Sequence, residues 1–447
     1  MTVLREGETF AGFRVGGCIH AGSGVRLYRV KYAEGLADPG FPMVLKLPAG
    51  TQPGSGADTL RCEVEQLLLP ALSGPHLPRF VAAGRVQDRP YLVREYVPGQ
   101  TLAQWLQQPQ RPTVEEVVRL AVALGHAVHS LHAQQVLHLD LQPEHVLVRE
   151  DGRVVLLGLG RARRAGWPDF WSGQPPDAAQ AAPTWAPEQL AGRRDEPRSD
   201  IHAIGVMLYQ LLTGALPLDR RAGRLAEWRQ RWLGPLPLRY HRPLLPDWLQ
   251  EVVLRCLAHE PQRRYAALGP LVFDLQHRQA GAGRLPSGRV AGWRSRLAGA
   301  AAAAASQATV VLVALPAQDM PEAWQQSLRA AADRLLGAGG QTRLLCVTVL
   351  EPAPSGQDEA AALRLQQLRL RYWVRPLAQQ GQALACEVLV GGDAATAVLA
   401  CARRHLAGHV VLGLSAAEDV VAWQALLAQG EVAVTVVGPP GRGLAAG

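Results

Sequence analysis

A lysine, an aspartate and a glycine-rich segment are the residues of this 447-residue chain whose chemistry stands out. The segment GGCIHAGSGV, residues 16–25, is rich in glycine, so its backbone N–H groups can approach an anion without a side chain in the way. Lys46 is one of only two lysines among 46 basic residues, and its ammonium is a compact charge where arginine would offer a planar fork. Asp140, within HLDLQPEHVLV, carries a carboxylate that can accept a proton from a hydroxyl group.

The surrounding patterns predict the elements that hold these residues. Residues 10–32 alternate in strand fashion around the glycine-rich turn, and the apolar run FPMVLKLP places Lys46 on a further strand. The segment RCEVEQLLLPAL predicts a helix that carries Glu63 and Glu65. A long helical segment, EEVVRLAVALGHAVHSLHAQQ, precedes the loop of Asp140.

This ordered set of motifs, together with TWAPEQL, SDIHAIGVMLYQLLTGALPL and CLAHEPQRRYA, resembles bacterial serine/threonine protein kinases over residues 10–280. The resemblance implies an α+β bilobal protein-kinase-like fold. Its small lobe would span about residues 10–97 and its large lobe about residues 98–280.

The resemblance also implies roles for particular side chains. Lys46 matches the lysine that holds the ATP phosphates, and Glu65 is the best match for its helix partner, with Glu63 as the fallback. Gly22 and Gly24 match the loop that covers the nucleotide, although the three aligned glycine positions fall on His20, Gly22 and Val25.

Asp140 matches the catalytic aspartate of the family, but the positions of both metal ligands are changed. Gly158 stands where the family has the aspartate of its DFG motif, and His145 stands where it has an asparagine. The substrate side is also altered, with Gln142 replacing a lysine and Ala181 replacing a threonine, while Thr184 lies nearby. These positions predict no magnesium ligands, so ATP binding is expected to depend little on magnesium.

Residues with an architectural role in the family are retained, namely Glu188, Asp200 and Arg264. A retained scaffold with altered catalytic motifs predicts a pseudokinase acting as a signalling or regulatory scaffold, with Asp140 vestigial and at most weak ATP binding. One alternative is an active serine/threonine kinase, bifunctional with a stress-protein module. A second alternative is a pure protein-interaction module.

The C-terminal third predicts a separate domain. After a linker rich in alanine, glycine and arginine, residues 281–307, five β-rich runs alternate with four helical segments over residues 308–440. This pattern predicts an α/β doubly wound, parallel five-stranded sheet and resembles universal stress proteins. In that family nucleotide binders carry an aspartate where this chain has Pro316 and a glycine where it has Ala416, so the resemblance implies no nucleotide binding here. The last predicted strand, EVAVTVVG, favours a homodimer through pairing at a sheet edge.

Composition limits the remaining classes of function. The net charge of +8 comes from scattered arginine pairs, which argues against nucleic-acid binding. Six separated cysteines without metal-ligand spacing indicate a reducing compartment, and the absence of a secretory signal predicts a cytoplasmic protein with an unidentified protein partner. An uncharged stretch near residues 297–316 is long enough to span a bilayer, but its first half is mostly alanine, so a linker that runs into a strand is expected instead.

Overall fold

The computed structural model describes residues 4–22, 24–33, 39–49, 56–172, 181–217, 235–280, 309–317, 320–336, 342–351, 359–378, 384–391, 393–414, 423 and 432–438. The chain divides into two compact units between Arg264 and Tyr265. Each unit is described by itself below.

The first unit contains a twisted antiparallel sheet and a set of helices. Its strands are β1 Thr9–Phe10, β2 Phe13–Ala21, β3 Val25–Tyr32, β4 Met43–Pro48, β5 Phe80–Val86, β6 Arg89–Glu95, β7 Gln100–Thr101, β8 Val136–Leu137, β9 Val146–Val148, β10 Val154–Leu156 and β11 Arg163–Arg164. Its helices are α1 Gly56–Leu68, α2 Leu102–Leu106, α3 Val114–Ala133, α4 Pro187–Leu190, α5 Arg198–Thr213, α6 Leu238–His241 and α7 Asp247–Cys256.

The antiparallel sheet is the element that carries Lys46. Its described strands follow the order β1-β2-β3-β4-β6-β5. Alternate side chains of these strands, including Phe13, Val15 and Tyr28, form one buried cluster, as a half-buried sheet requires. Because Lys46 has the opposite orientation to its buried neighbours Leu45 and Leu47, its side chain leaves this cluster on the face toward α1.

The helices build the base on which the loop of Asp140 rests. Helix α3 begins at a capping box, in which the Thr113 hydroxyl accepts from the Glu116 amide and the Glu116 carboxylate accepts from the Thr113 amide. Helix α5 is buried over most of its length. The loop between β8 and β9, which carries Asp140, is therefore supported by well-packed helices.

The second unit contains a parallel sheet. Its elements are α8 Leu268–Ala280, β12 Val310–Leu315, α9 Glu322–Leu336, β13 Arg343–Leu350, α10 Glu359–Ala378, β14 Leu384–Val390, α11 Ala394–Arg404, β15 Ala407–Gly413 and β16 Ala433–Val437. The described strands follow the order β14-β13-β12-β15-β16, and each pair is parallel. The prediction of a parallel five-stranded sheet is confirmed.

Strand β12 shows why its sequence is apolar without alternation. Val310 and Leu312 pack into the cluster that contains α11, whereas Val311 and Val313 pack into the cluster that contains α9 and α10. Both faces of the sheet are therefore covered, and every position of the strand is buried.

Four sequence predictions concern the end of the first domain, the linker and the second domain. The linker at 281–307 and most of the predicted fourth helix of the second domain lie outside the described residues. The predicted end of the kinase-like domain at residue 280 stays a prediction, although α8 is counted with the second unit and its Phe273 packs into that unit's core. Among the described helices none has the length and apolar character needed to cross a membrane, and the end of the uncharged stretch near 297–316 is strand β12.

Candidate active site

The structure brings Lys46 and Glu65 together. The Lys46 ammonium donates to Glu65 Oε2 at 2.5 Å, from β4 to α1. Burial alone would raise the pKa of the Glu65 carboxyl, but the charges of Lys46 and Arg94 outweigh burial and hold that pKa below its ordinary value. Glu65 is therefore ionised at neutral pH and fixes the lysine head at the edge of a cleft.

Glu63, the fallback partner for Lys46, lies elsewhere. It pairs with Arg85 at 2.9 Å, and both of these side chains are partly exposed. Because Glu63 and Glu65 are two residues apart on a helix, they face different directions. The structure therefore identifies Glu65, and not Glu63, as the partner of Lys46.

The glycine-rich turn lies close to the first turn of α1. Gly22 donates its amide to Val25 across the turn at 3.0 Å. A β-carbon on Gly24 would lie 2.9 Å from a carboxylate oxygen of Asp58, so a larger residue at position 24 would displace that carboxylate. The turn and Asp58 therefore approach each other because residue 24 is glycine.

Asp140 is held by buried groups on α5 and in the segment after β11. Asp200 accepts the backbone amides of His138 at 2.9 Å and Leu139 at 2.8 Å, which fixes the loop backbone while Leu139 adopts a left-handed conformation at φ 57°. The indole N–H of Trp185 donates to Asp140 Oδ1 at 3.2 Å. The Asp140 carboxylate is therefore oriented by its surroundings.

His145 and Gly158, at the two altered metal-ligand positions, are in contact. Gly158 has a left-handed backbone at φ 73°, and a β-carbon added there would lie 2.5 Å from atoms of the His145 ring. Nδ1 of His145 lies 2.8 Å from the backbone oxygen of Asp140, so this nitrogen carries the proton and donates. The imidazole ring thus fills the space that a side chain at position 158 would need.

Arg161 lies between two indole rings. Its guanidinium carbon is 4.2 Å from the ring centroid of Trp171 and 4.4 Å from that of Trp185. Burial lowers the pKa of Arg161 to about 10, while the nearby Asp140 carboxylate acts in the opposite direction. The arginine therefore stays charged at neutral pH beside Asp140.

A cavity of about 300 Å³ connects these groups. Its lining includes Gly24, Val25, Lys46, Asp58, Arg61, Asp140, Gln142 and His145. Sequence analysis did not find Asp58 and Arg61, which form an ion pair of 2.8 Å. The available signal was the spacing of seven residues between Asp58 and Glu65, which puts both on one face of a helix.

Thr184 does not line this cavity; Ala182 does. The Thr184 side chain is 2% exposed, and its hydroxyl has no hydrogen-bond partner among the described residues. In the described part of the chain, Thr184 does not occupy the position of Ala181.

The architectural residues form a buried ion pair below the site. Arg264 donates to both carboxylate oxygens of Glu188, at 2.6 Å and 2.8 Å, and neither side chain is exposed by more than 1%. The Ser199 hydroxyl adds a third donor to Glu188 at 2.6 Å. This bidentate geometry fixes α4 against the start of α5.

Comparison with known proteins agrees with this fold. Residues 52–271 match the family described as protein kinase domain. Serine/threonine-protein kinase Pkn1 of Myxococcus xanthus is 33% identical over 197 residues, which are 42% of this chain and 27% of that protein. The probable serine/threonine-protein kinase PknB of Lactococcus lactis is 27% identical over 216 residues, 48% of this chain and 34% of the relative. PrkC of Bacillus subtilis is 23% identical over 206 residues, 46% of this chain and 32% of the relative.

These matches correct two sequence predictions. The relatives are named serine/threonine-protein kinases, which contradicts the pseudokinase scaffold and favours the alternative of an active kinase. A protein kinase domain uses ATP, and magnesium is typical of this class, so the doubt about magnesium is not supported. The alignments cover about a quarter to a third of the length of these relatives. The fold, the Lys46–Glu65 pair and the matches together support a protein kinase domain of the bacterial serine/threonine type.

Proposed function

We propose that the first unit is an active protein kinase that transfers the γ-phosphoryl group of ATP to serine or threonine hydroxyls of protein substrates. The observation that carries the proposal is the Lys46–Glu65 pair, whose lysine lines the same cavity as Asp140. In this class of reaction the protein contributes mainly positioning and charge. Positioning and charge stabilisation both require side chains that are already in place before ATP binds.

Lys46 provides the positive charge for the phosphates of ATP. Its side chain is 17% exposed while that of Glu65 is 3% exposed, so the ammonium is the member of the pair that faces the cavity. Because Glu65 holds the ammonium in one place, little conformational entropy is lost when a phosphate binds.

Asp140 accepts the proton of the substrate hydroxyl. Its Oδ1 is engaged by the Trp185 indole, and its Oδ2 lies 3.7 Å from His145 Nδ1. The hydroxyl oxygen forms a bond to the γ-phosphorus, the bond from that phosphorus to the bridging oxygen of ADP breaks, and the hydroxyl proton passes to the carboxylate. ADP and the phosphorylated protein are the products.

The donor set of the cavity fits a magnesium ion. Magnesium in kinase-type sites is bound by one or two carboxylates together with substrate phosphates. Asp140 and Asp58 are the two carboxylates that line the cavity, and Gln142 adds an amide group. Asp58 thus supplies from α1 the second acid that position 158 lacks. When bound, the ion would neutralise charge on the phosphates.

For the second unit, the likeness to universal stress proteins supports a role in association rather than nucleotide binding. Strand β16 has one described neighbour, β15, and its side chains are only partly buried. An exposed edge of this kind can pair with the same edge of a second copy. Light scattering of the full chain should give twice the chain mass, and a monomer at high concentration would contradict the dimer.

Transfer of labelled phosphate tests the kinase proposal directly. The full chain, incubated with γ-labelled ATP, magnesium and casein, should place label on serine or threonine. Asp140→Asn should reduce the rate on the order of 100-fold or more, because the proton acceptor and its charge are lost. Asp151→Asn is the matched control, since Asp151 is an exposed carboxylate that pairs with Arg153. Equal labelling by the wild type and Asp140→Asn would contradict the proposal.

A further inference from the structure

Three residues of the second unit with metal-binding side chains lie close together. Glu387 lies on β14, and Cys401 and His405 lie four residues apart at the end of α11. Four residues are about one turn of a helix, so Cys401 and His405 lie on the same face. Glu387 lies opposite that face, because its carboxylate contacts both side chains.

The spacing of their ligand atoms suits a small cation. Glu387 Oε2 is 3.0 Å from His405 Nε2 and 3.8 Å from Cys401 Sγ, and all three ligand atoms lie within 4.8 Å of one another. Tetrahedral zinc with bonds of about 2.0–2.3 Å needs ligand atoms about 3.3–3.8 Å apart, so the Glu387–His405 hydrogen bond would open by about 0.3 Å when the ion binds. Among the described residues, this is the group of histidine, cysteine and acidic side chains with such spacing.

The burial of the group favours a bound ion over a solvated charge network. Cys401 and His405 are at most 3% exposed. Arg404 engages the other carboxylate oxygen of Glu387 at 2.9 Å, which leaves Oε2 directed at the cysteine and the histidine. The Cys401 sulfur lies 3.8 Å from Oε2, so without a metal it makes only a weak contact with the carboxylate.

His277 of α8 packs against the cluster. Its ring stacks on the His405 ring at 4.9 Å between centroids, and its Nε2 is buried with no hydrogen-bond partner among the described residues. The nitrogen atoms of His277 are not among the ligand atoms that lie within 4.8 Å of one another, so His277 is a neighbour of the site and not a ligand in it.

We infer that Glu387, Cys401 and His405 bind a zinc ion, which leaves its fourth position to a water molecule. Thiolate and imidazole ligands select zinc over magnesium and calcium, which prefer oxygen alone. The ion would join β14 and the end of α11 within the second unit. Sequence analysis found no such site, because the carboxylate comes from a separate strand.

Metal content and cobalt spectra of the full chain test the inference. Purified protein, reconstituted with Zn²⁺ and dialysed, should retain one zinc ion per chain by elemental analysis. Co²⁺ in its place should give the intense absorption of a thiolate–cobalt bond. Cys401→Ser should abolish this band, and His405→Gln should release the metal.

Cys386→Ser is the matched control. Cys386 precedes Glu387 on the same strand and is only partly buried, but it is not part of the cluster. This variant should keep one zinc and the cobalt band, and circular dichroism should show that every variant is folded. The inference is overturned if the folded wild type retains no zinc after reconstitution, or if Cys401→Ser keeps the thiolate band.

Discussion

The Glu188–Arg264 pair and the residues of the cleft are both polar and largely buried, but they differ in the freedom that their surroundings leave them. Arg264 satisfies Glu188 at two oxygens and also donates to the backbone oxygens of Ala258, Arg198 and His259. The cleft side chains face a cavity of about 300 Å³ and have fewer partners. Removing one partner of a buried pair leaves the other charge uncompensated, whereas a group beside a cavity can be replaced when a neighbour takes over its volume or charge.

The cleft contains two replacements of that kind. The His145 ring fills the space next to Gly158, and Asp58 brings a carboxylate to the cavity from α1. Altered motif residues in the cleft are therefore weaker evidence for lost activity than altered residues in the buried pair would be for a lost fold.

The largest effect should come from the buried pair. Arg264→Leu should lower the free energy of unfolding by about 3–5 kcal/mol, because the Glu188 charge is left buried without its partner. Denaturant titration measures this loss. Arg263→Gln is the control, since Arg263 is 70% exposed in its pair with Glu260 and its loss should cost at most about 1 kcal/mol. Similar losses for both variants would remove the contrast between buried and exposed pairs.

A smaller effect in free energy is expected at the cleft lysine. Lys46→Met should reduce phosphotransfer on the order of 100- to 1,000-fold, because one preorganised charge toward the phosphates is removed. Initial rates with labelled ATP measure the loss. Lys31→Met changes the other lysine of the chain, which is exposed on β3, and should leave the rate unchanged. A Lys46→Met enzyme as fast as the wild type would show that the pair has no role in transfer.

The contact between His145 and Gly158 predicts coupled substitutions. Gly158→Asp alone should destabilise the protein by about 1–3 kcal/mol, because its β-carbon meets the histidine ring. The double variant Gly158→Asp with His145→Asn should recover much of that stability. A double-mutant cycle on unfolding measures the coupling, and strictly additive effects would mean that the two positions are independent.

The smallest effect should be seen at Asp58. Asp58→Asn should raise the magnesium concentration needed for half-maximal activity by about tenfold, which corresponds to about 1.4 kcal/mol. Magnesium titrations of the labelling rate measure the shift. Glu63→Gln, on the same helix but paired with Arg85 outside the cavity lining, should titrate like the wild type. An unchanged titration for Asp58→Asn would leave Asp140 as the carboxylate that serves the ion.

Sequence patterns predicted the features that depend on backbone period and order. The five parallel strands follow from apolar runs separated by helical segments, and the Glu65 partner of Lys46 follows from its place on the helix after β4. These features depend on many residues at once, so single substitutions do not hide them.

The volume around individual side chains was not predictable in the same way. A glycine at position 158 reads as a missing carboxylate, whereas its function in the structure is to make room for His145. Asp58 has no fixed place in the kinase motifs, and only the orientation of α1 brings it to the cavity. The prediction of an inactive scaffold was wrong because it treated each motif position as independent of its neighbours.

Arg161 lies between Trp171 and Trp185, and the indole rings of these two residues are intrinsic fluorophores. Trp185 contacts both this cation and the Asp140 carboxylate, and Trp171 donates its indole N–H to the backbone oxygen of Gly160 at 3.0 Å. Indole emission responds to charges placed a few ångströms from the ring. Emission from these two indoles, among the 11 tryptophans of the chain, is therefore expected to respond to changes at the Asp140 carboxylate.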